Sequence, residues 1–201
     1  MQLAGAKLLT AIYDQDFLDC RDSYRPKRGA LEAVRDLTCD LQYGRYGYVV
    51  AVEVKGCLDH LDHPWLVDML RVRLDERAVL NLIREWLKAG GLEPDGHVVH
   101  AETGTPQGGT GSPVLAHAYV HYAVDLWLTK VVKAHCRGEA LWCRYADDWV
   151  CALRYQDAAE RFYRVLPKRL ENFNLQGAPE KTRLLRFSRF HPGMRRRFTV
   201  L

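Results

Sequence analysis

The sequence predicts an α+β protein built on a ferredoxin-like, split-βαβ sheet. Three observations carry this prediction. Residues 46–54, YGYVVAVEV, are aromatic and β-branched and predict a strand; the segments ALWCRY and DWVCALRY predict two strands joined by a tight turn; TRLLRF predicts a last strand after a helix. This order of strand, helices, hairpin, helix and strand is typical of an antiparallel or mixed sheet with helices on one face.

The helices are predicted from apolar periodicity and from their capping residues. The spacing predicts helices at residues 3–13 and 29–42, and Pro64 at a first helical position predicts a helix to about residue 73. The remaining predictions are a helix at about 75–89, a short strand at 97–102, a long helix capped by Ser112 and reaching about residue 134, and a helix at 156–173 that breaks or bends at Pro167.

Composition is that of an ordinary globular protein. Of the 201 residues, 48% are hydrophobic and 27% are charged, and no run of about 18 apolar residues predicts a membrane span. The N-terminus lacks the basic start of a secretory signal, so a cytoplasmic location is the expectation. The six cysteines form no C-x-x-C pair, which argues against a zinc ribbon and against a secreted disulfide framework.

Positive charge collects at the C-terminal end of the chain. The net charge is +4, yet residues 181–201 contain seven Lys or Arg and no Asp or Glu, which leaves the remainder slightly acidic. A basic end on a slightly acidic body suggests a polyanionic partner, with a solvated tail as the alternative.

Two adjacent aspartates, Asp147 and Asp148, fall at the turn between the hairpin strands. Carboxylates placed side by side repel each other unless a cation neutralises them, and oxygen-only ligand sets favour Mg²⁺. Two such ions about 3.5–4 Å apart can clamp the attacking and leaving oxygens of a phosphoryl transfer. Glu53, near the end of the first strand, is the natural source of a third carboxylate. The residues therefore indicate an acidic metal site, and a solvated turn is the alternative.

The segments around this turn resemble those of reverse transcriptases. YADD follows an arginine, GTPQGG and SP lie upstream, and PEKT lies downstream, in the order of the family's motifs. Similar blocks are AIYDQDFLDCRDSYRPKRGALEAVRDL, YGYVVAVEVKGCLDHLDHPWLVDML, GTPQGGTGSPVLAHAYVHYAVDLWL, CRYADDWVCAL and LQGAPEKTRLLRFSRF. The resemblance points to the enzymes encoded by bacterial group II introns and covers nearly the whole chain. It implies a polymerase palm preceded by partial fingers helices.

The resemblance also assigns site residues by motif position. Asp147 matches the principal metal-binding aspartate, Asp148 matches its neighbour, and Glu53 completes the set that would hold two Mg²⁺ ions, with Mn²⁺ as a possible substitute. Lys181 matches a lysine that helps to protonate the departing pyrophosphate. The nucleotide-binding positions are Val54, Leu58, Gln107 and Gly108, and the primer and template positions are Tyr145 and Arg144.

The sequence departs from the family pattern at several positions. Glu53 stands where the family has aspartate, which adds one methylene and about 1.5 Å of reach. A misplacement near 1 Å can cost about 10²-fold in rate. Leu58 stands where the family has the aromatic side chain that excludes ribose 2′-hydroxyls, so weaker sugar discrimination is expected. The loop SYRP is shortened, and Thr110 and Gly111 replace an aliphatic pair.

These observations predict three regions and one main function. Partial fingers helices are expected at 1–45, a reverse transcriptase palm at 46–190, and a basic tail leading towards an absent thumb at 191–201. The expected function is RNA-directed DNA polymerisation by two-metal transfer from dNTP to a primer 3′-hydroxyl, impaired by shortening and by Glu53. Expected partners are an RNA template, a DNA primer, intron RNA and dNTP, with self-association through uncovered fingers and thumb surfaces.

Two alternatives to an active polymerase stay open. One is a catalytically inactive remnant that acts as an RNA-binding, maturase-like module. The other is a metal nuclease that uses the same carboxylates.

Overall fold

The computed structural model describes residues 2–18, 29–89, 91–92, 98–99, 103–105 and 109–188. The chain forms two compact units, a helical unit (Met1–Phe17, Gly56–Asp125 and Leu170–Leu175) and a sheet unit (Leu18–Lys55, Leu126–Arg169 and Gln176–Leu201). Across the described ranges, no helix is both long and apolar enough to cross a membrane. The predicted tail at 191–201 lies outside the described residues.

The helices and strands follow the chain in this order. The helices are α1 (Gln2–Tyr13), α2 (Ala30–Tyr43), α3 (His63–Arg71), α4 (Arg77–Lys88), α5 (Ser112–Val120), α6 (Lys133–His135) and α7 (Gln156–Glu171). The strands are β1 (Tyr48–Lys55), β2 (Gly91–Leu92), β3 (Val98–Val99), β4 (Ala140–Tyr145), β5 (Asp148–Leu153), β6 (Gln176–Gly177) and β7 (Arg183–Arg186). A 3₁₀ turn spans Cys57–Asp59, and π-helical turns at His121–Asp125 and Leu128–Val132 continue α5 towards α6.

Strand β1 is the centre of the sheet. It pairs antiparallel with β5 on one side and with β7 and β6 on the other. Strands β4 and β5 form an antiparallel hairpin in which Tyr145 faces Asp148. The order β4-β5-β1, followed by β7 and β6 on the far side of β1, is that of a split-βαβ sheet. The predicted α+β, ferredoxin-like class is therefore confirmed.

One face of the sheet packs against α2. Its buried residues are Val49, Val150 and Ala152, and Leu37 and Leu41 of α2 pack on them. Side chains alternate along a strand, so Glu53 and its cross-strand partner Asp148 lie on this same face, at its end. A slip of one residue would turn this apolar set away from α2. Packing with α2 therefore also fixes where the carboxylates lie.

Two tyrosine hydroxyls in the core of the helical unit donate to backbone carbonyls. Tyr13 Oη donates to the Leu70 carbonyl at 3.2 Å, and Tyr119 Oη donates to the Phe173 carbonyl at 2.7 Å. Burial raises the pKa of both tyrosines, so both hydroxyls stay protonated as donors.

Of the two outcomes predicted at Pro167, a break or a bend, the break does not occur in helix α7. The helix runs through the proline to Glu171. Phe162, Leu166 and Leu170 are buried on either side of Pro167, which is itself exposed. This apolar stripe outweighs the hydrogen bond that proline removes.

The start of the long helix and the ends of two strands also differ from the prediction. Gly111 holds the N-cap position and Ser112 is already helical, so Ser112 is not the cap. The last strand is Arg183–Arg186, one residue shorter at each end than TRLLRF. Of the strand predicted at 97–102, Val98–Val99 is described, paired with β2, and residues 97 and 100–102 lie outside the described residues.

Candidate functional site

The end of β1 brings together the residues predicted to be catalytic. Glu53 faces Asp148, the first residue of β5, as its cross-strand partner. The amide of Val54 donates to the carbonyl of Asp147 at 2.9 Å, which holds the hairpin turn against β1. Glu53, Asp147 and Asp148 therefore lie at one end of the sheet, as predicted for an acidic site.

The hairpin turn itself is tight. Only Ala146 and Asp147 separate β4 from β5, and Ala146 has φ of 52°. That region of backbone space costs an L-residue other than glycine about 1–2 kcal/mol. Pairing of the two strands on either side outweighs this strain, and the sharp turn places Asp147 at the tip of the hairpin, beside Val54 of β1.

The three carboxylates repel one another. Burial raises the pKa of Asp147; the Arg144 guanidinium lowers it and the Glu53 carboxylate raises it again. Burial also raises the pKa of Asp148, and the charges of Glu53 and Asp147 add to this, while the Lys181 ammonium lowers it. Burial and repulsion from neighbouring carboxylates thus both disfavour the charged forms of the two aspartates.

A second turn, at residues 178–182, supplies a positive charge from the other side of β1. Ala178 donates its amide to the Glu53 carbonyl at 2.8 Å, and Lys181 Nζ lies 2.7 Å from Glu53 Oε1 and 2.6 Å from Oε2. The hydrogen bond with Glu53 raises the pKa of Lys181. Thr182 Oγ1 donates to the Ala178 carbonyl at 2.8 Å and closes the turn. Glu53 therefore holds this turn with both its backbone and its side chain.

The chemistry of these donors fits a hard divalent cation. They are carboxylate oxygens that repel one another, which is the ligand set that Mg²⁺ prefers. In the arrangement described, however, no group of three or more His, Cys, Asp or Glu side chains is placed to hold a metal among the residues that the structure covers. The Glu53 carboxylate meets Lys181 instead. That Glu53 and Asp147 share one cation therefore stays a prediction.

The residues predicted to contact primer and template occupy different environments. Tyr145 is half-buried and lines a shallow groove beside Asp148, together with Ala33, Val34, Leu37, Cys143 and Val150. Arg144 is 1% exposed, and its charge acts on Asp147. Contact of either residue with nucleic acid stays a prediction. The buried Arg144 side chain acts on Asp147 from within the sheet unit, through its positive charge.

The predicted nucleotide-binding residues are divided between the two units. The side chain of Val54 is buried in the sheet unit. Leu58 lies in the 3₁₀ turn of the helical unit, where its carbonyl accepts the Thr105 amide at 2.8 Å. Gln107 and Gly108 lie outside the described residues.

Gly104, which the sequence analysis did not single out, joins two motifs within the helical unit. Its φ is 83°, and a Cβ there would come within 2.8 Å of the carbonyl oxygens of Leu58 and Asp59. Its amide donates to the Leu61 carbonyl at 2.7 Å. The start of GTPQGG is thus docked on the turn that follows β1, and a glycine is required there. The glycine of the motif was visible in the sequence, but its docking partner was not.

Comparison with protein families gives one match across almost the whole chain. A model of the family described as reverse transcriptase (RNA-dependent DNA polymerase) matches residues 6–197. Over 121 residues, the chain is 34% identical to the group II intron-encoded protein LtrA of Lactococcus lactis subsp. cremoris, covering 60% of this chain and 20% of that protein. It is 25% identical to protein YkfC of Escherichia coli over 77% of this chain and 48% of that protein. The chain thus spans a fifth to about half of these relatives.

Solved structures with a similar fold include telomerases. The telomerase of Candida albicans, in complex with a TWJ fragment of telomeric RNA, aligns with a TM-score of 0.67 at 14% identity over 94% of this chain and 35% of that chain. The apo telomerase of Candida tropicalis aligns with a TM-score of 0.62 at 13% identity, over 90% and 36%. At these identities the likeness shows the fold.

Proposed function

Because the chain belongs to the reverse transcriptase family, we propose that it carries the palm of an RNA-directed DNA polymerase of the group II intron type. The reaction would join a dNTP to the 3′-hydroxyl of a DNA primer paired with an RNA template. Intron RNA would be a further partner, and the site of action would be the cytoplasm. The basic segment 181–201 supports a polyanionic partner.

One observation carries the proposal. The two aspartates of YADD and the carboxylate of the first catalytic block, Glu53, are held at the same end of the sheet by strand register and by the bond from the Val54 amide to Asp147. Segments about a hundred residues apart in sequence contribute these groups, and the fold brings them together.

The chain's own residues have distinct roles in this proposal. Glu53, Asp147 and Asp148 would hold two Mg²⁺ ions, or Mn²⁺ in their place, and bound ions would supply charge neutralisation at the transferred phosphate. Arg144 limits repulsion at Asp147 from within the sheet unit. Lys181 carries a proton on Nζ that can pass to the departing pyrophosphate, where negative charge develops.

We retain in this proposal the four nucleotide-binding positions that the family pattern implies. Val54 contributes backbone near the carboxylates, and Leu58, Gln107 and Gly108 would contact base, sugar and phosphate. Leu58 is shorter than an aromatic residue and lacks a flat face, so exclusion of ribose 2′-hydroxyls would be weak. Tyr145 would contact the primer terminus from beside Asp148.

We propose further that the polymerase is impaired as it stands. Glu53 is longer than the aspartate of the family, and its carboxylate is bound to Lys181. This contact also favours the second candidate function, a remnant that binds RNA without polymerising, because it neutralises a catalytic carboxylate with a group of the chain itself.

Primer extension on an RNA template tests both parts of the proposal. Three proteins are compared with Mg²⁺ and dNTPs: the 201-residue chain, its Glu53→Asp variant, and the Glu53→Asp variant fused to fingers and thumb segments of a relative. We expect little extension from the first, slight recovery with the second and clear extension by the fusion, because positioning of both substrates adds to what the metals supply.

The matched control is Asp147→Asn in the fusion, which should lower extension by about 10²-fold or more. A folded fusion that does not extend, or that extends equally well with Asp147→Asn, would contradict the polymerase. Multi-nucleotide products from the natural chain would contradict the impairment alone.

A further inference from the structure

Both oxygens of the Glu53 carboxylate are bound by Lys181. The ammonium nitrogen lies 2.7 Å from Oε1 and 2.6 Å from Oε2. Each distance is that of a strong, charge-assisted hydrogen bond. With both oxygens bound to the ammonium, a divalent cation could bind this carboxylate only by sharing it with Lys181 or displacing it.

The turn that carries Lys181 is fixed to the same residue. The Ala178 amide donates to the Glu53 carbonyl, and the Lys181 and Thr182 amides both donate back to the Ala178 carbonyl, at 3.1 and 2.8 Å. This backbone frame holds the root of the lysine beside the end of β1. The contact between Lys181 and Glu53 is therefore built into the local fold and does not depend on the lysine side chain alone.

The length of Glu53 matters for this contact. An aspartate at the same place on β1 would end about 1.5 Å closer to the backbone, beyond bonding distance of the ammonium as placed. The residue that departs from the family pattern is thus the one whose extra methylene reaches Lys181.

The charges of the cluster are consistent with a resident counter-cation. Three carboxylates lie at this end of the sheet, and the Arg144 and Lys181 cations act on them from two sides. Arg144 acts on Asp147, and Lys181 acts on Glu53 and Asp148. The two cations offset part of the negative charge of the three carboxylates, which lowers the attraction for a divalent ion.

We propose that Lys181 is the resident counter-cation of this acidic cluster and that its ammonium competes with a divalent cation for the Glu53 carboxylate. The inference rests on the proposed function in one respect, that these carboxylates are the ones that receive the metal. Metal binding then requires Lys181 to leave Glu53, an exchange of one cation for another in which no covalent bond changes.

An exposed ion pair of no consequence is the ordinary alternative. The Lys181 side chain is 58% exposed and that of Glu53 is 29% exposed, so the pair contributes little to global stability. The two explanations differ in one measurable property. Removal of Lys181 changes metal affinity if the ammonium competes, and leaves it unchanged if the pair is incidental.

Titration of the full chain with Mn²⁺ alone, followed by the paramagnetic resonance of the free ion, tests the proposal. Lys181→Met should tighten Mn²⁺ binding by about tenfold or more, because a nearby positive charge is removed and a carboxylate is released. Glu53→Asp should tighten it in the same direction. Lys181→Arg keeps the charge and should bind Mn²⁺ like the natural chain.

The matched control is Lys168→Met, the same change at an exposed position of α7. It should alter Mn²⁺ affinity by less than about twofold, since exposed charges far from a site are screened by salt. Thermal melting in EDTA, monitored by circular dichroism, verifies that each variant is folded. Glu53→Asp decides the question if Lys181→Met does not fold, since an Mn²⁺ affinity that Glu53→Asp leaves unchanged would contradict the competition.

Two results would overturn the inference. One is equal Mn²⁺ affinity for Lys181→Met and Lys168→Met. The other is a gain in Lys181→Met that survives the additional change Asp147→Asn, which would place the ion elsewhere. Neither result depends on extension by the fusion, so failure of this inference and failure of the polymerase are separate observations.

Discussion

Two turns flank the end of β1, and they are held there in different ways. The hairpin turn, Ala146 and Asp147, is tied to β1 by the Val54 amide and contains a strained residue. The turn at 178–182 is tied by the Glu53 carbonyl and closed by its own hydrogen bonds. The first brings excess negative charge to the site and the second brings Lys181.

This difference shows how the sheet can hold a repulsive site. Cross-strand pairing holds the hairpin turn and its aspartates in place, so their charges need not be balanced for the turn to form. The opposite turn then adjusts the charge through one side chain. Glu53 takes part in both, because it faces Asp148 and binds Lys181.

The largest effect is expected from removing the bond that holds the hairpin turn. Val54→Pro deletes the amide that donates to Asp147 and interrupts the central strand. We expect a loss of about 3 kcal/mol or more in the free energy of unfolding, measured in urea. Val54→Ala is the control, since it keeps the amide and should cost about 1–2 kcal/mol through lost packing. Equal losses for both variants would show that the tether contributes nothing.

A smaller effect is expected from relieving the strain in the hairpin turn. Ala146→Gly should raise the free energy of unfolding by about 0.5–1 kcal/mol, because glycine adopts positive φ without the clash of a Cβ. The same change at Ala158 in α7 should lower stability by about 1 kcal/mol, since glycine is unfavourable inside a helix. Chemical denaturation of the two variants side by side shows whether each change raises or lowers the free energy of unfolding. A loss at both positions would mean that the turn stores no strain.

The smallest effect is expected at the second turn. Thr182→Val removes the hydroxyl that donates to the Ala178 carbonyl and should cost about 0.5 kcal/mol, since two amides still donate to that carbonyl. The control is Thr38→Val, which removes the equivalent contact to the Val34 carbonyl on the exposed face of α2. Thr182→Val should also tighten Mn²⁺ binding, by less than Lys181→Met does. A gain in Mn²⁺ affinity larger than that of Lys181→Met would contradict the view that hydrogen bonds to the Ala178 carbonyl hold Lys181 beside Glu53.

The sheet could be predicted from the sequence because short stretches of neighbouring residues specify its strands. The β-branched run at β1 and the two short runs meeting at Ala146 and Asp147 specify strands and a hairpin without reference to the rest of the chain. The place of Glu53 near the end of its strand followed from the same pattern, whereas its position opposite Asp148 depends on strand register, which the pattern does not specify. The family resemblance then gave these carboxylates a shared chemistry.

What the sequence did not reveal depends on partners far away in the chain. Nothing near Lys181 indicates that its ammonium meets Glu53, because the contact arises only when β6 and β7 have joined β1. Pro167 predicted a break or a bend, and burial of Phe162 and Leu166 prevents the break. The requirement for Gly104 comes from carbonyls of another segment. In each case a contact with residues distant in the sequence determined the structure, and the local sequence either predicted something else or predicted nothing.

The central position of β1 has a consequence for how the protein is made. The pairs Tyr48 with Leu153 and Tyr48 with Arg186 join residues roughly 100 and 140 positions apart, whereas the β4–β5 hairpin closes locally. At a synthesis rate of about 5–20 residues per second, β1 leaves the ribosome several seconds before either neighbour exists. During that interval YVVAVEVK is an unpaired, β-prone segment. Folding of this sheet is therefore expected to be slow, and chaperones that shield such segments should raise the yield of folded chain.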